Sequence, residues 1–117
     1  MMFNIPEEIL LAVKKGSYEL DQRYPGWRQA VELSELDMHD CDSCVLAHVA
    51  EWRGLGMVNG YYSMLDEMVE DNSAVQTEWA IEHGFMEDET IRSDDYESYD
   101  ANWHLMEEAW AQVVKEA

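Results

Sequence analysis

The apolar residues of this chain come in short blocks of helical spacing, each closed by residues that a helix does not easily cross. Leu10, Val13, Leu20 and Tyr24 recur at close to a helical period, and Pro25–Gly26 stops the run. Pro6 suits the first helical position, with Glu7 and Glu8 in the turn where the helix dipole favours acids. Gly16 has two readings: it ends a short helix, or it sits at a close contact inside one reaching about Arg23. Trp27, Val31, Leu33 and Leu36 follow at mixed spacing, which predicts a helical turn and then an ordered loop anchored in the core. Asp40, Asp42 or Ser43 can cap the next helix, whose stripe is Cys44, Val45, His48, Val49 and Trp52. "RGLGMVNG" at 53–60 breaks it, and Tyr61, Met64, Leu65 and Met68 mark another helix. Ser73 starts one carrying Val75, Trp79 and Ile81, closed by Gly84 after His83. A last helix, roughly 98–116, carries Trp103, Met106, Trp110 and Val113 on its buried side. No run alternates convincingly as a strand would. The expected fold is therefore mainly α: a compact single-domain bundle of four or five helices over residues 1–117, with ordered loops and at most a minor strand pair. Its five tryptophans should lie buried together.

A chain of 117 residues can bury about two-thirds of its unfolded surface in one core. Hydrophobic residues make up 47% of it, including five Trp and six Tyr, which is too much apolar material for a disordered acidic chain. The longest apolar runs, such as "ILLAV" at 9–13, fall well short of a membrane span. "MMFNIPEE" shows no basic region before an apolar stretch, so no secretory signal is read there. Two cysteines are too few for a disulfide framework. These features predict a soluble intracellular protein.

Charge narrows the choice of partners. Twenty-six acids against seven bases give a net charge of −19. Residues 1–60 hold ten acids and five bases, whereas residues 61–117 hold sixteen acids and only Arg92 and Lys115. Such a chain repels nucleic-acid phosphates and anionic membrane surfaces, so neither is an expected partner. A basic protein surface is the natural complement, because opposite fields steer association.

One segment resembles a metal site. "HDCDSCVLAH" at 39–48 places Cys41 and Cys44 at C-x2-C spacing, with His48 one helical turn after Cys44. His39 supplies a fourth candidate ligand, and His83 or His104 can reach the pair only after folding. In the competing reading Cys44 is a small core residue, Cys41 a thiol beside the helix cap, and the histidines half-exposed. No metal or other cofactor is the expectation, with zinc on Cys41, Cys44, His39 and His48 as the alternative.

Enzymatic patterns are scarce. There is no glycine-rich phosphate loop, no G-x-S-x-G elbow and no H-E-x-x-H helix. A nucleophilic pair of Cys41 or Cys44 with His83 or His104 would sit among acids that raise a thiol pKa. Carboxylate neighbours such as Glu78 and Glu82 belong to a solvated helix face. The methionines, Met57, Met64, Met68, Met86 and Met106 among them, read first as core filler and second as an adaptable groove. A non-enzymatic protein is expected.

The acid-rich stretch "MEDETIRSDDYESYD" at 86–100 reads as an exposed connection, and it sets Tyr96 and Tyr99 among carboxylates. Aromatics so placed suit contact with Arg or Lys on a partner. The Tyr61–Tyr62 pair can act similarly, with one of the two expected to be buried. The expected partner-binding residues are Glu87, Asp88, Glu89, Asp94, Asp95, Tyr96 and Tyr99.

"LDQRYPGW" at 20–27, "LSELDMHDCDSCVL" at 33–46, "EHGF" at 82–85 and "LMEEAW" at 105–110 follow one another in a particular order. In that order the chain resembles a group of small uncharacterised proteins encoded by phages of actinobacteria. The resemblance implies a phage or prophage origin and action in the host cytoplasm, and it carries no activity. In that group the cysteine pair is not regularly accompanied by histidines at the places of His39 and His48, which turns the segment toward packing.

A phage setting gives the charge a use, since small acidic proteins can occupy nucleic-acid-binding surfaces of host proteins. Residues 66–100 hold thirteen acids and one base. As one helix they would carry a charge about every 4 Å, against about 1.7 Å for duplex DNA, so a mimic needs acidic elements side by side. The expected function is binding and modulation of a host protein through an acidic surface, with nucleic-acid mimicry as its sharpest form. A small zinc-stabilised accessory domain is the alternative.

Overall fold

The first helix, α1, runs from Glu7 to Arg23 and includes Gly16. The computed structural model describes residues 5–86 and 99–116, the first four of the latter (99–102) by backbone alone. Pro6 precedes α1 as its cap, one place before the expected first turn, and its carbonyl accepts from the N–H groups of Ile9 and Leu10 at 3.1 and 3.2 Å. Ile9, Val13, Gly16, Ser17 and Leu20 form the buried stripe, while Leu10 and Tyr24 lie half-buried beside it. After the Pro25–Gly26 corner, 3-10 turns occupy Trp27–Ala30 and Leu33–Glu35. They are followed by α2 (Val45–Trp52), α3 (Gly60–Met68), α4 (Ser73–Glu82) and α5 (Tyr99–Lys115). The chain is mainly α, and no strand occurs among the described residues.

The core forms where α5 lies on α1, against the turn after α4. Trp110 is fully buried, stacks on Phe85 with centroids 5.1 Å apart, and meets Trp27 edge to face at 5.8 Å. Its indole N–H donates to the Gly84 carbonyl at 2.7 Å. Gly16 decides how closely these pieces approach: a Cβ there would stand 2.0 Å from the His83 carbonyl oxygen and 3.0 Å from the Trp110 ring. Gly84 closes the junction from the other side, with φ +75° and the Val13 backbone 2.8 Å from where its Cβ would be. The close-contact reading of Gly16 therefore holds.

Asp21 ties the 27–30 turn to α1. It accepts from the Trp27 indole N–H at 2.8 Å and pairs with Arg28 at 2.8 Å, while Arg28 Nε donates to the Val113 carbonyl. Val31, Leu36 and Met38 point inward, and the Met38 N–H donates to Glu107 on α5. The region between α1 and α2 is the expected ordered loop, except that Leu33 is exposed.

Four expectations need correction here. All six residues Val45–Ala50 are buried, so α2 is a central helix rather than a one-faced one, covered by α3 and by the 27–30 turn. Trp52, assigned to its stripe, is 49% exposed because it is the last residue of α2, where the helix leaves the core; its ring lies near Gly26. The five tryptophans consequently do not form one cluster. Trp27 and Trp110 are buried, and Trp79 and Trp103 are half-buried. The cap of α2 also differs: Cys44 holds that place without a side-chain bond, and Asp40 and Asp42 instead accept backbone N–H groups of Asp42 and Asn59. By contrast α4 starts at Ser73 as expected, capped by Asn72.

The α2–α3 connection doubles back. Leu55 N–H donates to the Ala50 carbonyl, Met57 N–H to the Glu51 carboxylate and Asn59 N–H to the Asp42 carboxylate. Tyr61 N–H then reaches the Cys41 carbonyl, and Gly60 lies against Ala47 and Ala50. So α3 begins beside the N-terminal end of α2. Met38, Met64, Met68 and Met106 are buried and Met57 half-buried, in keeping with their use as core filler; Met86 is 36% exposed.

Candidate functional site

Glu87, Asp88, Glu89, Asp94, Asp95 and Tyr96 lie outside the described residues, and Tyr99 enters them only as the first backbone position of α5. The described residues carry a charged surface of their own. None of the described Asp or Glu residues is buried. The three described arginines are all held by carboxylates of the same chain. Arg23 pairs with Glu19 at 3.1 Å, Arg28 with Asp21, and Arg53 with Glu67. Arg53 also lies over the Tyr24 ring at 4.6 Å. The Tyr24 phenol is raised above its usual range, first by burial and then by the Glu67 charge. The acids of 66–82 are divided among α3 (Asp66, Glu67), the connection after it (Glu70, Asp71) and α4 (Glu78, Glu82), rather than lying on one rod.

The cysteine segment is built for packing. Cys44 is buried, and burial pushes its thiol up to about 12. Such a thiol stays protonated at neutral pH and is a poor nucleophile. Cys41 is half-buried beside the Tyr62 phenol, which is raised chiefly by the Cys41 charge. One tyrosine of the adjacent pair is buried, as expected: Tyr61 at 8% exposure, against 55% for Tyr62.

The histidines do not share one environment. His39 is exposed and stacks on Trp103 with centroids 5.0 Å apart. His48, expected half-exposed, is buried at 3% because all of α2 is central; its Nδ1 accepts the Glu32 backbone N–H at 3.3 Å. In a neutral ring that bond would leave the proton on Nε2, for which no partner stands among the described residues. His83 sits on Trp79, its Nδ1 2.7 Å from the Trp79 carbonyl, and His104 is exposed. Among the described residues, no group of three or more His, Cys, Asp or Glu side chains is arranged to hold a metal ion. The alternative set of Cys41, Cys44, His39 and His48 is thus not brought together as ligands.

On the outer face of α1, an open groove of about 340 Å³ is lined by Leu11, Lys14, Lys15, Tyr18, Glu19 and His83. No helix among the described residues is long and apolar enough to cross a membrane.

Sequence reasoning offered Tyr62 as a contact residue but missed the exposed side chains beside it. Trp52, Leu55, Val58 and Tyr62 are exposed by 49, 49, 73 and 55%, all within one α2–α3 hairpin. Its trace in the sequence was the pair Gly54 and Gly56 on either side of Leu55, read only as a helix break. Comparison of the chain with protein-family models, with curated proteins and with solved structures gives no match.

Proposed function

We propose that the protein is a non-enzymatic, phage-type protein that binds a basic surface of a host protein in the host cytoplasm and modulates it. Nucleic-acid mimicry is the sharpest form of this reading. The observation that carries it is how the charge is spent: the described arginines are neutralised internally, while every described carboxylate has access to solvent. The unpaired excess therefore faces outward, where it steers a basic partner and repels phosphates. Acids on both α3 and α4 supply the side-by-side elements that mimicry requires. The phage origin rests on the ordered motifs from "LDQRYPGW" to "LMEEAW".

The test is capture from an actinobacterial lysate at low and high salt, with wild type and with charge reversals at Glu87, Asp88, Glu89, Asp94 and Asp95. The partner's association rate should fall in the reversed variant. Added salt should weaken the wild type more than the variant, since screening cuts the reach of exposed charges to about 8 Å at physiological strength. The variant should stay folded, because surface ion pairs contribute little. Binding indifferent to both salt and these substitutions would refute the acidic-surface reading. We also read the cysteine segment as metal-free. About one zinc per chain in protein purified without added metal, together with unfolding by a chelator, would replace that reading with the zinc-stabilised domain.

A further inference from the structure

The α2–α3 hairpin combines features that ordinary loops do not. Four of the large exposed apolar side chains lie within eleven residues of sequence, from Trp52 to Tyr62. Chain collapse normally tucks such residues inward, and a cluster left in water marks a contact surface. Here the backbone holds them out. Gly54 and Gly56 take φ +84° and +88°, Asn59 takes +56°, and both glycines face open space. The loop is nonetheless anchored, by Leu55 N–H on Ala50 at 2.8 Å, Met57 N–H on Glu51 at 3.1 Å and Asn59 N–H on Asp42 at 2.6 Å. Two of the three anchors are carboxylates, so acids border the apolar residues by construction.

We infer that this hairpin is a docking surface for a basic amphipathic helix of a partner protein. The inference rests on the proposed function for the sign of the partner's charge and adds the place and shape of the contact. The surface follows the 53–60 loop, which runs back beside the buried α2 from its last residues to Asp42; the eight residues of α2 span about 12 Å. Trp52 and Leu55 are near one end of α2, and Val58 and Tyr62 return to the other. Apolar side chains at i, i+4 and i+7 of a partner helix cover about the same length. Lys or Arg flanking them would meet Glu51 and Asp42, whose remaining lone pairs are open to solvent. The one base nearby, Arg53, is already engaged by Glu67 and Tyr24. The same acids disfavour a second copy of this chain, which would bring like charges together around an apolar centre. A loop already held in its bound shape avoids ordering costs, which favours affinity.

The test uses a synthetic Leu/Lys amphipathic helical peptide of about five turns, titrated into isotope-labelled full-length protein and followed by backbone amide shifts. A peptide of the same composition, scrambled to remove its apolar face, controls for charge. The amphipathic peptide should shift amides of residues 52–62 and bind more tightly than the scrambled one. Leu55→Ser/Val58→Ser should weaken it about tenfold or more, as loss of two central contacts does. Both side chains are exposed, so the variant should melt like wild type; Val75→Ser, on α4, should bind as wild type does. Equal binding of the two peptides, shifts confined to other residues, or full affinity in the double variant would overturn the inference. So would a wild-type dimer that the double variant dissolves, since the occupant would then be a second copy. Charge reversal at Glu87–Asp95 separates this outcome from the broader reading: it tests the acidic surface with the hairpin intact.

Discussion

Gly16→Ala offers a test in which the sign of the effect decides. In a solvent-facing helix, alanine in place of glycine stabilises by roughly 0.5–1 kcal/mol. At position 16 the added Cβ would stand 2.0 Å from the His83 carbonyl oxygen, which is backbone and cannot rotate aside. Relief requires α1 and the end of α4 to separate by about 1 Å, given that ordinary contacts begin above 3 Å. That movement opens the Gly84–Val13 approach, which is so close that a Cβ on Gly84 would stand 2.8 Å from the Val13 backbone, and pulls the Gly84 carbonyl from the Trp110 indole N–H. A buried donor left unsatisfied costs about 1–3 kcal/mol, and overpacking strain about as much again. Against the propensity gain, the net loss is about 1–5 kcal/mol. For a domain of this size that lowers Tm by about 4–20 °C. Thermal melts followed by circular dichroism, together with urea midpoints, measure it. A Tm equal to or above wild type would show that Gly16 is merely a poor helix former, and the tight α1–α4–α5 junction would be refuted.

Asp21→Ala should cost about 1–3 kcal/mol in urea unfolding, because the Trp27 indole N–H loses its acceptor and Arg28 its partner; an unchanged midpoint would remove Asp21 from its organising role. Cys41 should react with a thiol reagent in the native protein, and Cys44 only on unfolding; equal native rates would contradict its burial. The Cys44 thiol, with a folded pKa raised from 9.0 to about 12, contributes stability that is complete below pH 9 and is lost as pH climbs toward 12. Wild type should therefore lose stability across that window more steeply than Cys44→Ala, and parallel curves would exclude the thiol as a cause.

Much of the fold was legible in local pattern. Helical periodicity located the helices, Pro25–Gly26 and Gly84 ended two of them, and the burial of Trp110, Met106 and Val113 followed from spacing on α5. These features depend on neighbours a few residues away along the chain. The misreadings share a cause. Trp52 was placed in the stripe by period, and His48 was expected half-exposed, yet α2 is covered on several sides through Val45–Ala50 and leaves the core at its last residue. Periodicity reports that a helix has a buried stripe; it does not report how many elements pack around the helix.

The candidate surfaces divide along the same line. The acid excess is a property of composition, so the sequence by itself determined that a partner must tolerate or seek negative charge. Which bases remain to offset it was decided only in three dimensions, where Arg23, Arg28 and Arg53 find carboxylates between four and fourteen residues away. The separation of Cys41, Cys44, His39 and His48 into unlike environments also needed the tertiary structure, since ligand spacing along a chain does not set the direction of side chains. The apolar hairpin is the clearest case. "RGLGMVNG" announces a break, but Leu55 and Val58 face water because distant carboxylates at Glu51 and Asp42 hold the loop by its backbone.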